Sequence, residues 1–194
     1  MKNNKIVLFD MDGTLTLPRE KIQHDMIRSL RDLSLSTKIG IVTGSDFEYV
    51  MQQCGDMFDL SGVPVNRIDI FPCNGTKHYK WANNKFNKVS EVDMIEKISL
   101  AKYKMLLQID LKIALGGSTS FDIYPTGWDK TYVISHLAEY DNIYFVGDRC
   151  GPGGNDYELY QMISNIFPNN SFITDSTAST IKIIETIKKE QQNE

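Results

Sequence analysis

The sequence predicts an α/β fold, an open and mostly parallel sheet with helices on both faces, interrupted once by a small α+β insertion. Three observations carry that prediction. Apolar runs of four or five residues recur along the chain and end in polar or glycine-containing turns, as strands buried on both faces do. Most are separated by segments whose apolar residues return at three- and four-residue spacing, the period of one helix face. Over residues 77–123 this alternation gives way to a hairpin signal and one long apolar stripe. The 194 residues, 41% hydrophobic and 24% charged, suffice to bury a core without disulfides.

The first strand is predicted over 6–9, ending at Asp10-Met11-Asp12-Gly13-Thr14. Ile22, Met26, Ile27, Leu30 and Leu33 then share one helix face over about 20–33. Residues 38–42 form a second strand, and Ser45 with Glu48 three residues later predicts a capping box opening a helix over Phe47, Val50 and Met51. A third strand spans 68–71, closed by Pro72 and Gly75. Within the insertion, 78–81 and 86–89 flank Asn83-Asn84 as a hairpin, and Ser90 with Asp93 opens a helix striped by Met94, Ile98, Ala101, Met105 and Ile109. A strand over 119–124 leads back to the core. The rhythm resumes with a helix over 131–138, a strand at 143–146, a helix over 157–163, a strand at 171–173 and a last helix over Ile181, Ile184 and Ile187. The expected domains are therefore a discontinuous core, 1–76 and 124–194, and an inserted 77–123.

Lys+Arg 21 against Asp+Glu 25 gives a net charge of −4, with no basic surplus to bind a nucleic-acid backbone or an anionic membrane. Cys54, Cys73 and Cys150 are too scattered for a disulfide framework or zinc knuckle, which points to a reducing, cytoplasmic setting. No apolar run is long enough for a signal-peptide core or a membrane span.

In an open parallel sheet, reactive groups gather at the carboxyl ends of the strands. Here those ends carry Asp10 and Asp12 with Gly13 and Thr14, then Thr43-Gly44-Ser45-Asp46, then Gly147-Asp148 followed by Gly153-Gly154-Asn155-Asp156. Carboxylates from separate strands make an oxygen-rich site for a hard cation, most simply Mg2+.

The string Phe9-Asp10-Met11-Asp12-Gly13-Thr14-Leu15-Thr16 resembles the first motif of the haloacid dehalogenase (HAD) phosphotransferase superfamily. Thr43 or Ser45 resembles the second motif, Lys130 the third, and Asp148 with Asp156 the fourth. More narrowly, IGIVTGSDFEYV, SFDIYPTGWDK and GDRCGPGGND are similar to the eukaryotic-type phosphomannomutases. The resemblance implies a HAD-like, Rossmann-like core with 77–123 as its cap. It also assigns roles. Asp10 is the nucleophile that forms an aspartyl phosphate. Asp12 is the general acid that protonates the sugar oxygen and later the base. Lys130 is the fixed cation of the catalytic set, and Mg2+ is held by Asp10, the backbone carbonyl of Asp12, and Asp148. Gly13, Thr14, Thr43, Gly44 and Ser45 surround the phosphate, Arg19, Ser120 and Asp122 contact the substrate, and Asn155 and Asp156 orient the metal and Lys130 from behind. The cation answers a physical need: carboxylate and phosphate charges 4 Å apart repel by about 4 kcal/mol at an effective dielectric near 20.

The implied reaction interconverts mannose 1-phosphate and mannose 6-phosphate, with a hexose phosphate as substrate, a hexose bisphosphate primer and a homodimer paired through the cap. One departure bears on it. The family holds the distal phosphate with cap arginines, and this chain has none between Arg67 and Arg149. Lys77, Lys80, Lys85, Lys88, Lys102, Lys104 and Lys112 offer point charges instead of forks. A sugar-phosphate phosphatase using the same site is therefore the alternative reading, and a non-catalytic binding protein of this fold a remoter one.

Overall fold

The computed structural model describes residues 4–59, 62–92, 111–115 and 121–192. Its centre is a seven-stranded sheet formed by β1 (Lys5–Phe9), β2 (Lys38–Val42), β3 (Ile68–Phe71), β4 (Lys77–Ala82), β5 (Lys85–Glu91), β8 (Asn142–Gly147) and β9 (Ser171–Ile173). The strands lie in the order β5-β4-β3-β2-β1-β8-β9, and the five from β3 to β9 run parallel. β6 (Leu111–Leu115) and β7 (Phe121–Pro125) make a separate antiparallel pair.

Burial follows the period of the strands. On β1, Val7 and Phe9 face a core built with α1 (His24–Ser34), α2 (Phe47–Asp59) and α4 (Thr177–Gln192), through Met26, Leu30, Val50, Met57, Ile184 and Ile187. Ile6 and Leu8 face the opposite core, with Phe71 and Phe145 of neighbouring strands, Val133 of the 3-10 helix Lys130–His136, and Leu159 and Ile163 of α3 (Tyr157–Ile166). Burial on both faces is why β1 reads as an unbroken apolar run from Ile6 to Phe9. No helix among the described residues is long and apolar enough to cross a membrane.

Four expectations change. The hairpin 78–89 does not belong to a separate insertion: β4 pairs antiparallel with β3 through Asp69↔Lys80 and Ile70↔Tyr79, so β4 and β5 extend the main sheet. Phe47 stacks on Tyr79 at 4.1 Å and Phe58 meets Phe86 edge-on at 4.8 Å, and this aromatic cover on α2 holds the hairpin there. The helix expected over 131–138 is a short 3-10 helix, started by Asp129, whose carboxylate accepts from the Thr131 N–H at 3.0 Å. α2 is capped by Asp46, which accepts from the Tyr49 N–H at 2.8 Å, in place of the expected Ser45–Glu48 box. β6 was not expected, and the helix striped by Met94 to Ile109 lies outside the described residues.

Candidate active site

Asp10 follows β1 and its side chain is nearly closed off, 6% of the residue being exposed. Its N–H donates to Val146 O of β8 at 3.0 Å, which extends the β1–β8 ladder one residue beyond the strand. Lys130, 1% exposed, donates to Asp10 Oδ1 and, at 2.6 Å, to Asp156 Oδ1. The other oxygen of Asp156 accepts from the Arg149 N–H at 3.0 Å, so both oxygens of this fully buried carboxylate are engaged. Ligand oxygens of Asp10, Asp148 and Asp156 lie within 4.8 Å of one another.

Three carboxylates face one buried ammonium, with the Arg149 guanidinium 3.8 Å from Asp148. Burial pushes the Asp10 carboxyl up to about 8, against the pull of Lys130 and helped by the charges of Asp156 and Asp148. Asp148 is pushed up to about 6 by burial and then by Asp156, with Arg149 and Lys130 opposing. Lys130 is raised as well: burial disfavours its charge, but Asp10 and Asp156 outweigh burial and keep it protonated. A cluster of hard oxygen donors richer in carboxylates than in cations could hold a metal ion.

The backbone of the first loop shapes this cluster. Gly13 has φ +86°, and a Cβ there would sit 2.5 Å from Asp148 Oδ2, so only glycine lets the turn press against that carboxylate. Gly147 packs equally closely, since a Cβ would lie 2.7 Å from Asp156 Oδ2. Beyond β3, Cys73, Asn74 and Gly75 all have positive φ, and this turn hands N–H groups to the second loop: Cys73 N to Ser45 O and Asn74 N to Thr43 O, both at 2.8 Å. His136 bonds Gly75 O at 2.8 Å from the helix that carries Lys130.

The structure brings Asp10, Lys130, Asp148 and Asp156 together and places Asp12, half-buried, on the adjoining loop. Thr43 is buried and its Oγ1 accepts from the Ser45 N–H at 3.2 Å, while Gly44 is exposed. Thr14 is wholly buried, its hydroxyl without a hydrogen-bond partner among the described residues. Arg19 is exposed with φ +66°, and its N–H donates to Asp12 Oδ1 at 3.3 Å. Asn155 is half-buried in the loop before α3. Asp122 lies on β7 opposite Ala114, and Ser120 lies outside the described residues.

The candidate cap lysines are mostly committed elsewhere. Lys77 pairs with Glu91 at 3.6 Å, Lys80 with Glu139 at 3.4 Å, Lys88 with Glu91, and Lys112 with Glu158 and, at 3.7 Å, Asp129. Sequence reasoning missed Gln53 of α2, whose Nε2 donates to Asp12 Oδ1 at 3.1 Å. The available signal was a polar residue inside the apolar stripe Val50, Cys54, Met57.

With that geometry established, the family model for eukaryotic phosphomannomutase matches residues 83–189, more than half of the chain. The chain belongs to that family. It is an enzyme of the HAD superfamily, of the phosphomannomutase or a closely related phosphotransferase type. Among relatives, a phosphomannomutase of Arabidopsis thaliana is 28% identical over 213 residues, covering 80% of this chain and 87% of that protein. Phosphomannomutase 2 of Dictyostelium discoideum is 29% identical over 246 residues, covering 93% of this chain and 95% of its own. Since 93% of 194 residues is about 180, that alignment leaves roughly 65 of its 246 positions without a counterpart here.

Solved structures share the fold at low identity. A truncated Plasmodium falciparum IMP-nucleotidase superposes with a TM-score of 0.68 at 12% identity, over 96% of this chain and 70% of that one. A trehalose-6-phosphate phosphatase of Aspergillus fumigatus reaches 0.59 at 13% identity, over 96% and 93%.

Proposed function

We propose that this protein is a Mg2+-dependent phosphotransferase that interconverts mannose 1-phosphate and mannose 6-phosphate through a phosphorylated Asp10. One observation supports this most: in a chain of the phosphomannomutase family, Lys130 bridges Asp10 to Asp156 with Asp148 beside them. A carboxylate oxygen of Asp10 attacks one phosphorus of a hexose bisphosphate, the bond from that phosphorus to the sugar oxygen breaks, and a hexose monophosphate departs; the free hydroxyl of a hexose monophosphate then attacks the aspartyl phosphate, which regenerates the Asp10 carboxylate and the bisphosphate. Asp12 gives its proton to the departing oxygen and recovers one when the sugar returns with its other hydroxyl. Lys130 lies against Asp10 and offsets charge at the nucleophile. Asp156, with both oxygens engaged, holds Lys130 and the Arg149 loop in place. Asp10, Asp148 and the Asp12 carbonyl would hold Mg2+, which supplies the positive charge that lets one anion approach another.

In this reading the loops at Gly13–Thr14 and Thr43–Ser45 would surround the phosphate, and Arg19, whose backbone N–H donates to Asp12 Oδ1 at 3.3 Å, would contact it with its side chain. Residues 93–123, returning through β7 with Asp122, form the cap in this reading, with Ser120 and Asp122 meeting the sugar. Mutase turnover requires a hexose bisphosphate primer, and a homodimer through the cap would complete the enclosure.

A sugar-phosphate phosphatase is the second reading. It is favoured by the absence of arginine between Arg67 and Arg149 and by the ion pairs that occupy Lys77, Lys80, Lys88 and Lys112. Nothing as strong as an arginine fork is then left in those positions to retain a bisphosphate against water. Phosphorus NMR of mannose 1-phosphate with Mg2+, with and without hexose bisphosphate, separates the two. Mannose 6-phosphate formed only with primer supports the mutase, and free phosphate alone, indifferent to primer, rejects it. Retained turnover in Asp10→Asn rejects both.

A further inference from the structure

We propose that Gln53 is the positioning residue of Asp12: its amide fixes the carboxyl so that Oδ1 stays an acceptor and Oδ2 is the oxygen that exchanges the proton with the sugar. The inference rests on the reading of Asp12 as general acid and base. Gln53 is 3% exposed, in the middle of the apolar stripe that α2 turns to the sheet. A buried amide is tolerated only when its polar atoms are satisfied. Here Oε1 accepts from Thr16 Oγ1 at 2.6 Å and Nε2 donates to Asp12 Oδ1 at 3.1 Å. The backbone contributes as well, since Gln53 O accepts from the Ile22 N–H at 2.9 Å and ties the loop after Asp12 to α2.

The direction of the amide is set by its surroundings. Oδ1 of Asp12 also accepts from the Arg19 N–H at 3.3 Å, a donor that cannot reverse. A flipped Gln53 would place its carbonyl oxygen against Oδ1, oxygen facing oxygen. With two donors on Oδ1, a proton on that oxygen would face N–H groups, donor against donor. The acid proton therefore belongs on Oδ2, the oxygen that neither of these two donors occupies. A general acid must offer its proton from one defined atom in one orientation, and a misplacement of about 1 Å can cost a hundredfold in rate. Thr16, 1% exposed, meets the far end of the amide and completes a line from Thr16 through Gln53 to Asp12, while the two contacts at Asp12 Oδ1 set which way the amide faces.

The experiment measures Gln53→Leu and Gln53→Met on two substrates, each alone and combined with Asp12→Asn. Mannose 1-phosphate releases an alkoxide that needs a proton, whereas p-nitrophenyl phosphate releases a phenolate that does not. The expected result is a fall in kcat of about tenfold or more on mannose 1-phosphate with KM changed less than about threefold, a fall at least about tenfold smaller on p-nitrophenyl phosphate, and no further loss on top of Asp12→Asn. The ratio of the two substrates on one preparation is independent of the folded fraction. Equal losses on both substrates, or a Gln53 effect that persists in the Asp12→Asn background, would overturn the proposal and leave Gln53 as a structural amide. If Asp12→Asn itself spares mannose 1-phosphate, it is the reading of Asp12 that fails.

Discussion

Replacing Gly13 by alanine should damage the site far more than the fold. Gly13 sits at φ +86°, where a side chain costs about 1–2 kcal/mol. For a chain of this size that lowers Tm by only about 2–8 °C. The new Cβ, however, would lie 2.5 Å from Asp148 Oδ2 and 2.9 Å from its Cγ, where ordinary contact begins near 3.4 Å. Asp148 would have to retreat by about 1 Å, away from Asp10 and Asp156, a displacement on the scale that costs about a hundredfold in turnover. The assay is kcat/KM on mannose 1-phosphate against Mg2+ concentration, beside a thermal melt. We expect a Tm within that range, a loss near a hundredfold and a rightward shift of the Mg2+ dependence. A folded Gly13→Ala protein with kcat/KM within threefold of the parent and an unshifted Mg2+ curve would refute the reasoning. So would a variant too unstable to purify, because the backbone cost would then have been misjudged.

Lys130→Met leaves the buried carboxylates of Asp10 and Asp156 without their ammonium, and urea unfolding at neutral pH should show a loss of about 3–5 kcal/mol together with loss of turnover. Chelation with EDTA should abolish phosphoryl transfer, and added Mg2+ should restore it; turnover that persists in EDTA would remove the metal from the mechanism. A third site predicts acid behaviour. Burial alone would raise the Asp69 carboxyl, but hydrogen bonds from His78 and Lys38 and the charges of Lys38 and Lys80 hold it below its ordinary 3.8. A carboxyl whose folded pKa is depressed stabilises the fold above its unfolded value and loses that contribution as pH falls through the folded one. Lys38→Met should therefore lower Tm near pH 6, and the gap to the parent should close below about pH 4; a gap independent of pH from 3 to 6 would contradict it.

How much was legible depended on how local the deciding interactions are. The runs 38–42, 68–71 and 171–173 were read with their observed bounds, because strands packed on both faces or closing the sheet announce themselves by composition. The carboxylates Asp10, Asp148 and Asp156 were legible because they follow such strands. The destination of the hairpin was not. Whether β4 pairs with β3 or stands apart is decided by partners such as Asp69 with Lys80 and Phe47 with Tyr79, each far from the other in sequence. The cap of α2 was missed because Ser45 and Asp46 are both good cap residues, and only the bond to Tyr49 chooses between them. Gln53 was hidden in an apolar stripe, since a buried amide is recognisable only once its two partners come from other segments.

The described residues on either side of 93–110 are anchored to the core through neighbouring elements. Val92 donates to Thr76 O at 2.8 Å at the base of the hairpin, and Lys112 of β6 reaches Asp129 beside the helix of Lys130. Gly75, next to Thr76, packs against Val133 of that same helix. When both anchors stay fixed on one patch of the core, doubling the chain between them costs only about 0.6 kcal/mol of closure entropy. The length of chain between these anchors can therefore differ between relatives at little cost to the sheet and to the carboxylates at the ends of its strands.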